Sequence, residues 1–319
     1  MTTPESPPSP FHPGEQAILD RLDLRERMAW VAQRAIRDFM PDQHQQFYAQ
    51  LPFVLTGSID AQGRPWASVL VGEPGFMQAT DPRTLEIHAQ PRAGDPLGAA
   101  LELNAPLGFL GIELNTRRRN RLNGRVAALH AAGFAVRVEQ TVGNCPKYIQ
   151  GREFEWRRAA DDQRPRAVES LAALDAEARA MISKADTFFV ATHAPASAEH
   201  TASTDVSHRG GRAGFVRIET DGSLLIPDFV GNNLFMTLGN LQAYPHAGVL
   251  FIDFLHGDLL LLSGAAEIVW EDESLAAFDG AERAWRLRPA AGVRLRDALP
   301  LRWIFRDWSP ASLGTGGWT

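Results

Sequence analysis

The chain has 319 residues, 45% of them hydrophobic and 22% charged, with a mean hydropathy of -0.20, which points to a globular protein of one large or two ordinary domains. A formal charge of -6 and a pI near 5.9 argue against general nucleic-acid binding, because a phosphate backbone selects for an excess of Lys and Arg. No apolar run approaches the roughly 20 residues that span a bilayer, so no membrane partner is expected, and the single cysteine, Cys145, excludes an intrachain disulfide and a multi-cysteine zinc site; a reducing, cytoplasmic setting is the simplest expectation.

Residues 1–10, rich in Pro, Ser and Thr, lack the basic start and apolar core of a signal peptide and read as a disordered lead-in. Helices are expected over 16–22 and 24–39, the second with Met28, Val31, Ala32, Ala35, Ile36 and Phe39 on one stripe, and over 42–49 behind Pro41, all covering a sheet edge or barrel end. From Phe53 the texture turns β-rich: strands at 53–58, 66–71 and 85–89, a helix at 97–103, and strands at 107–114, 117–129 and 134–142. Asn144-Cys-Pro-Lys147, a charged stretch ending at Arg166 and a helix over 170–183 form a connector. The second half then offers a polar, glycine-rich loop, Asp205-Val-Ser-His-Arg-Gly-Gly-Arg212, and strands at 214–218 and 224–227. A turn at Gly231-Asn-Asn233 enters a short helix, followed by strands at 248–254 and 258–268, a helix at 274–287, strands at 293–299 and 301–308, and a loose tail from Gly314.

The order strand, strand, strand, short helix, strand, strand occurs twice. Phe53-Val-Leu-Thr56 matches Phe189-Val-Ala-Thr192 (189 − 53 = 136), Pro106-Leu-Gly108 matches Pro245-His-Ala247 (245 − 106 = 139) and Gly124 matches Gly264 (264 − 124 = 140). Gly63-Arg-Pro65 matches Gly211-Arg-Ala213 at 148 (211 − 63), which implies about 12 extra residues (148 − 136) in the second copy, containing the donor-rich loop.

Backbone and side-chain donors beside a helix start suit an anion such as a phosphate. In an extended Arg117-Arg-Arg-Asn-Arg121, alternation puts Arg117, Arg119, Arg121 and Asn123 on one face. Guanidinium groups grip phosphate through paired donors; the alternative is a solvated edge strand protected by charge.

The passage from Phe215 through Gly231-Asn-Asn233 to Asn240-Leu-Gln-Ala-Tyr-Pro-His-Ala-Gly-Val-Leu-Phe-Ile-Asp253 resembles the FMN-binding split-barrel superfamily of pyridoxamine 5'-phosphate oxidase. Phe11-His-Pro-Gly-Glu15, Arg117 to Gly124, Asn144-Cys-Pro-Lys-Tyr-Ile149 and Asp205 to Gly211 resemble its long, flavin-nucleotide-binding branch. The resemblance implies a mainly β chain of tandem split β-barrels with flanking helices, packed as an internal pseudo-dimer with FMN at the seam. The domains would be the lead-in (1–10), the N-terminal helices and a degenerate first barrel (11–150), a helical connector (151–187), and a second barrel with the FMN-binding loop and a C-terminal extension (188–319). The family's Ser-Arg-Lys phosphate grip is absent, and Asn232, Asn233 and Thr237 stand in its place. The cofactor residues implied are Arg119, Arg121, Asn123, Lys147, Ser207, His208, Arg209, Asp228, Asn232, Asn233 and Thr237, with His208 and Arg209 near the isoalloxazine ring or a substrate and Cys145 either a flavin-facing thiol or an inert one. No metal ligand set is expected. The implied function is an FMN-dependent oxidoreductase acting on a small organic molecule, with an electron donor or acceptor and a possible homodimer. A flavin-binding module without turnover, and the same fold holding a deazaflavin or haem, are the alternatives.

Overall fold

The computed structural model describes residues 9–143, 145–162 and 164–318, so most of the expected lead-in, and Asn144 and Gln163, lie outside it. Helix α1 (Pro13–Arg21) opens on a reciprocal cap: the His12 ring accepts from the Gly14 amide at 3.1 Å, and the Glu15 carboxylate accepts from the His12 amide at 3.0 Å. Helix α2 (Arg25–Ala35) stops short of the expected Phe39, because Ile36 turns extended and Arg37 exchanges backbone hydrogen bonds with Thr141 at 3.0 and 2.7 Å. Helix α3 (Asp42–Gln50) follows Pro41 as expected.

The first half then supplies β1 (Phe53–Ile59), β2 (Pro65–Val71), β3 (Met77–Asp81), β4 (Thr84–Ile87), α4 (Leu97–Ala100), β5 (Pro106–Glu113), β6 (Arg118–His130) and β7 (Gly133–Gly143). After β8 (Gly151–Trp156), β9 (Val168–Leu171) and α5 (Ala176–Lys184), the second half repeats the set. It comprises β10 (Thr187–Ala194), β11 (Ser203–Gly210), β12 (Arg217–Ile218), β13 (Leu224–Phe229), α6 (Met236–Ala243), β14 (His246–Ile252), β15 (Leu259–Val269) and β16 (Ala281–Leu295). Strand β17 (Leu301–Asp307) and helix α7 (Pro310–Leu313) close the chain.

The two large sheets have one topology. Their orders, β2-β1-β5-β6-β7-β4-β3 and β11-β10-β14-β15-β16-β13-β12, coincide element for element. Even a bulge recurs, at Asn123/Gly124 in β6 and at Ser263/Gly264 in β15. Each barrel has its own core, one around Phe109, Leu122 and Phe134, the other around Phe188, Phe251 and Trp285. A third core seals the seam between them, built from Leu55, Leu110, Phe189, Val206 and Leu250. The chain is mainly β, a tandem split barrel packed as an internal pseudo-dimer.

The seam is reciprocal. β11 lies on β1 and β5 of the first barrel while β2 lies on β10 and β14 of the second. Both approaches need glycine: a Cβ on Gly108 would fall 2.4 Å from the Thr204 carbonyl, and one on its counterpart Gly248 (248 − 108 = 140) would fall 2.2 Å from that of Pro65.

Several expectations are corrected. Leu55 pairs with Leu110 as Phe189 pairs with Leu250, so the first strands are offset by 134 (189 − 55), and Gly57 pairs with Ala67 as Ala191 pairs with Val206, giving 139 (206 − 67). The second copy therefore gains 5 residues there (139 − 134), not 12, and residues 205–210 form strand β11 rather than an inserted loop. Gly211 answers to Gly72, not Gly63: a Cβ at either would strike a phenylalanine four residues on, Phe76 at 2.4 Å and Phe215 at 2.6 Å. The expected helix at 274–287 is a short 3-10 turn (Glu273–Ala277) followed by β16, which is hydrogen-bonded on both sides, to β13 and β15. Helix propensity is worth only tenths of a kcal/mol per residue, and such pairing overrides it. In the connector, β9 pairs with β16 before Asp175 caps α5, and β8 pairs with β17. The tail is not loose: Trp318 packs on Phe278 at 4.7 Å and donates to the Phe215 carbonyl at 2.8 Å.

Gly108→Ala should lower stability by about 1–3 kcal/mol through overpacking at the seam, as read from urea midpoints. Gly317, where an added Cβ would meet nothing within 4 Å, should tolerate alanine to within about 0.5 kcal/mol; equal effects at the two positions would show that the seam is not tightly packed.

Candidate functional site

Strand β6 carries the first wall. Its pairing with β5 sets Arg119 opposite Ile112, Arg121 opposite Leu110 and Asn123 opposite Gly108, so these three side chains share the face turned to the second barrel. Arg117 does not join them. It sits before the strand at φ 58, outside the alternation, and binds the Ile149 carbonyl at 2.9 Å and Asp307 at 2.6 Å. Arg118 turns the other way, over the ring of Phe47 at 4.4 Å.

Strand β11 is the second wall. It ends its sheet, so both its faces reach the seam: His208 lies edge-on to Phe189 at 5.8 Å, while Ser207 accepts from the Thr237 hydroxyl at 3.1 Å. Asp205, 5% exposed, accepts from Asn123 at 2.7 Å and Asn240 at 2.8 Å and lies 3.5 Å from Arg121. Arg121 also binds Ser207 and the Met236 sulfur. Asn123 and Asp205 thus lock the seam, and Asn123 does not line the cleft beside it.

The other expected residues do converge there. Arg119, Arg121, Lys147, Ser207, His208 and Arg209 line one cleft together with Asp228, Asn232, Asn233 and Thr237. Helix α6 starts at Met236, so Asn232 and Asn233 lie in the preceding loop rather than at a helix N-terminus. Asn232 accepts from the Leu234 amide at 3.2 Å, and Asn233 and Phe235 are left-handed at φ 58 and 52. Lys147 is exposed at the mouth and Cys145 half-buried. Tyr148, Phe229, Met236 and Glu282 line the cleft too and were not foreseen. Tyr148 directly follows the flagged Lys147, whereas Phe229, Met236 and Glu282 had no local signal.

Electrostatically the cleft is unbalanced. Asp228 is shared by Arg209 and Arg283, each at 3.1 Å; burial nonetheless raises its pKa, against the pull of both cations. Among the described residues Arg119 meets only neutral acceptors, the Cys145 carbonyl at 2.8 Å and Nδ1 of His208 at 3.3 Å. Burial, then the nearby Arg121, lowers its pKa to about 10, which leaves it charged at neutral pH. A guanidinium can only donate, so Nδ1 of His208 accepts and the ring proton sits on Nε2. Burial, followed by Arg119 and Arg209, holds that imidazole well below its ordinary 6.5 and therefore neutral.

The pseudo-symmetric position is built differently. Leu259 and Leu261 stand where Arg119 and Arg121 would (259 − 119 and 261 − 121 are both 140), and Val69 stands for His208 (208 − 69 = 139). They are sealed in the seam core beneath Leu299, Leu301 and Trp303 of the C-terminal extension. Ser68 donates to Asp95 at 2.6 Å in the place where Ser207 meets Thr237. The groove that remains there, beside Gly72 and Phe76, is lined by Glu73 and Asp161 and by no arginine among the described residues.

Strand order and register, repeated in both halves, decide the architecture. This is a split-barrel protein. No family model matches the chain, and no curated protein does. Solved structures similar to it include HupZ of Group A Streptococcus, at 14% identity over 40% of this chain and 97% of that one, with a TM-score of 0.30. HutZ, the heme storage protein of Vibrio cholerae, is 16% identical over 39% of this chain and 95% of its own, with a TM-score of 0.27. An FAD-binding protein of Mesorhizobium loti is 15% identical over 40% and 97%, with a TM-score of 0.25. Among the described residues no helix is long and apolar enough to cross a membrane.

The neutral His208 makes stability pH-dependent. Its folded pKa lies below 6.5, so below that pH the unfolded chain binds a proton that the folded chain refuses, and the contribution of this ring to stability falls as pH drops from about 7 to 5. His12 and His193, also held low by burial, act in the same direction. His208→Gln should flatten the loss by up to one proton, about 1.4 kcal/mol per pH unit. Urea midpoints at pH 7 and 5 check this, and parallel slopes for the two proteins would mean that the ring is free to charge.

Proposed function

We propose that the cleft binds FMN noncovalently and that the chain is an FMN-dependent oxidoreductase acting on a small organic molecule. The observation that carries this reading is Arg119, a half-buried guanidinium held by neutral acceptors alone among the described residues. A cation in such a site calls for an anion, and a phosphate matches its paired donors. Lys147 at the mouth adds a second positive charge.

The remaining donors fit the rest of such a ligand. Nε of Arg121, Nε2 of His208 and Nε of Arg209 are buried without an acceptor among the described residues, a costly state that carbonyl or ring-nitrogen acceptors would relieve. Asn233 and Thr237 offer further polar contacts on the opposite wall. Arg121, engaged with Asp205, Ser207 and Met236, serves mainly to hold Ser207 and the wall. Bound FMN would supply electron and hydride transfer, with the protein tuning it through the groups around the ring. His208 supports FMN over haem: with its proton on Nε2, it has no lone pair there to offer an iron. The partners in this reading are the organic substrate and an electron donor or acceptor.

The purified protein should be yellow or quench the fluorescence of added FMN, and NAD(P)H addition should show whether the flavin turns over. Arg119→Ala should weaken FMN binding roughly 10- to 100-fold, the weight of one charge-assisted hydrogen bond, and leave riboflavin, which has no phosphate, nearly unaffected. Equal weakening of both ligands would remove Arg119 from the phosphate site. Because the mate position is apolar and acidic, saturated protein should hold one FMN per chain, and two equivalent sites by titration would contradict the asymmetry described above.

A further inference from the structure

Tyr148 was not foreseen from the sequence, and its contacts span the mouth of the cleft. Its ring stacks on Phe229, with centroids 5.1 Å apart and planes 27° from parallel. Its hydroxyl donates across to the Val230 carbonyl at 3.2 Å. We propose that Tyr148 is the ligand-retaining residue of this cleft: its ring closes the mouth by bonding to the far wall and turns aside when ligand enters or leaves.

The size of the cleft requires a moving part. As it stands it encloses about 110 Å³, well under the roughly 300 Å³ of the smaller ligand pockets. A flavin-sized ligand enters only if a wall or a side chain gives way.

The main chain of Tyr148 is the wrong part to move. Its amide donates to the Ser309 hydroxyl at 3.1 Å. Two residues on, the fully buried Gln150 side chain donates to the Gly211 carbonyl at 3.0 Å and to Ser312 at 2.9 Å, and accepts from the Ser309 amide at 2.9 Å. A Cβ on Gly210 would lie 2.1 Å from the Tyr148 carbonyl, so the backbone is wedged between β11 and the C-terminal segment. The side chain, by contrast, is only partly buried: it lies at the edge of the second barrel's core and, among the described residues, is tied by one hydrogen bond and one stacking contact. Tyr148, Asn233 and Phe235 all hold left-handed backbones, at φ 66, 58 and 52, and all line this cleft. Non-glycine residues adopt that conformation rarely, and it gathers at ligand clamps.

Cys145 lines the same cleft and is the only cysteine in the chain, so its labelling by N-ethylmaleimide reports opening without any ligand. Tyr148→Phe keeps the ring and loses the bond to Val230; labelling should quicken roughly 3- to 10-fold, the weight of one hydrogen bond. Tyr148→Ala, which removes the stacking contact as well, should label faster still. Gly108→Ala, destabilised at the seam away from the mouth, serves as the control for general loosening. If the Tyr148 variants label no faster than wild type, or no faster than that control, the proposal is overturned.

The second arm rests on the FMN reading. In stopped-flow mixing with FMN, Tyr148→Phe should raise the association and dissociation rates together by a similar factor and leave Kd within roughly twofold, as expected for a barrier rather than a contact. Faster labelling in a protein that does not bind FMN would sink the cofactor reading and leave the gate standing. FMN binding with unchanged labelling and unchanged rates would do the reverse.

Discussion

The buried carboxylate of Asp205 is the interaction on which the rest of the structure turns. It stands on the edge strand of the second barrel and takes donors from Asn123 on the first barrel and from Asn240 on helix α6, with Arg121 alongside. Asn240 in turn binds Thr192 at 2.9 Å and meets the His12 ring at 2.8 Å. A charge inside a protein is tolerated only when its acceptor sites are filled and a counter-charge is near. Here the filling groups come from both barrels, and the N-terminal segment joins them through His12 on Asn240, so one hub ties all three together.

That arrangement explains the work of Phe11-His-Pro-Gly-Glu15. A Cβ on Gly14 would lie 2.1 Å from the Gly239 carbonyl, and one on Gly239 would lie 2.4 Å from Glu15, so α1 and α6 cross almost backbone to backbone. Glu15 is buried there, and burial together with the nearby Asp205 raises its pKa well above the ordinary range. Phe11, Leu19 and Met28 pack on Leu234 and Met236, so the N-terminal helices support one wall of the cleft.

The two halves share one topology and differ at the seam. On one side of the pseudo-axis the seam holds Arg119, Arg121 and His208. On the other it holds Leu259, Leu261 and Val69, covered by the strand that carries Leu301 and Trp303. Apolar burial there adds to the packing between the barrels at roughly 25 cal/mol per Å², while the charged side retains a cleft. An apolar seal and a charged cleft are thus the two equivalents of a single position.

The sequence by itself determined the β-rich class, the repeat with its match of Gly124 to Gly264, and the residue types that gather at the seam, because alternation and turn chemistry are local. It also brought together most of the cleft, since the arginines and the Asp205 to Gly211 run carry their chemistry in their side chains. Tertiary structure alone decided the rest. Residues 205–210 became a strand because β10 pairs with all of them, and residues 281–295 became a strand because two neighbours claim both edges. Which arginine is left without a carboxylate partner among the described residues was likewise a tertiary matter: Arg117 leaves the strand through a left-handed turn, Arg121 is taken up by Asp205 and Ser207, and Arg119 remains. A partner distant in sequence has no local signature, and it is such partners that leave one guanidinium unbalanced and not its neighbours.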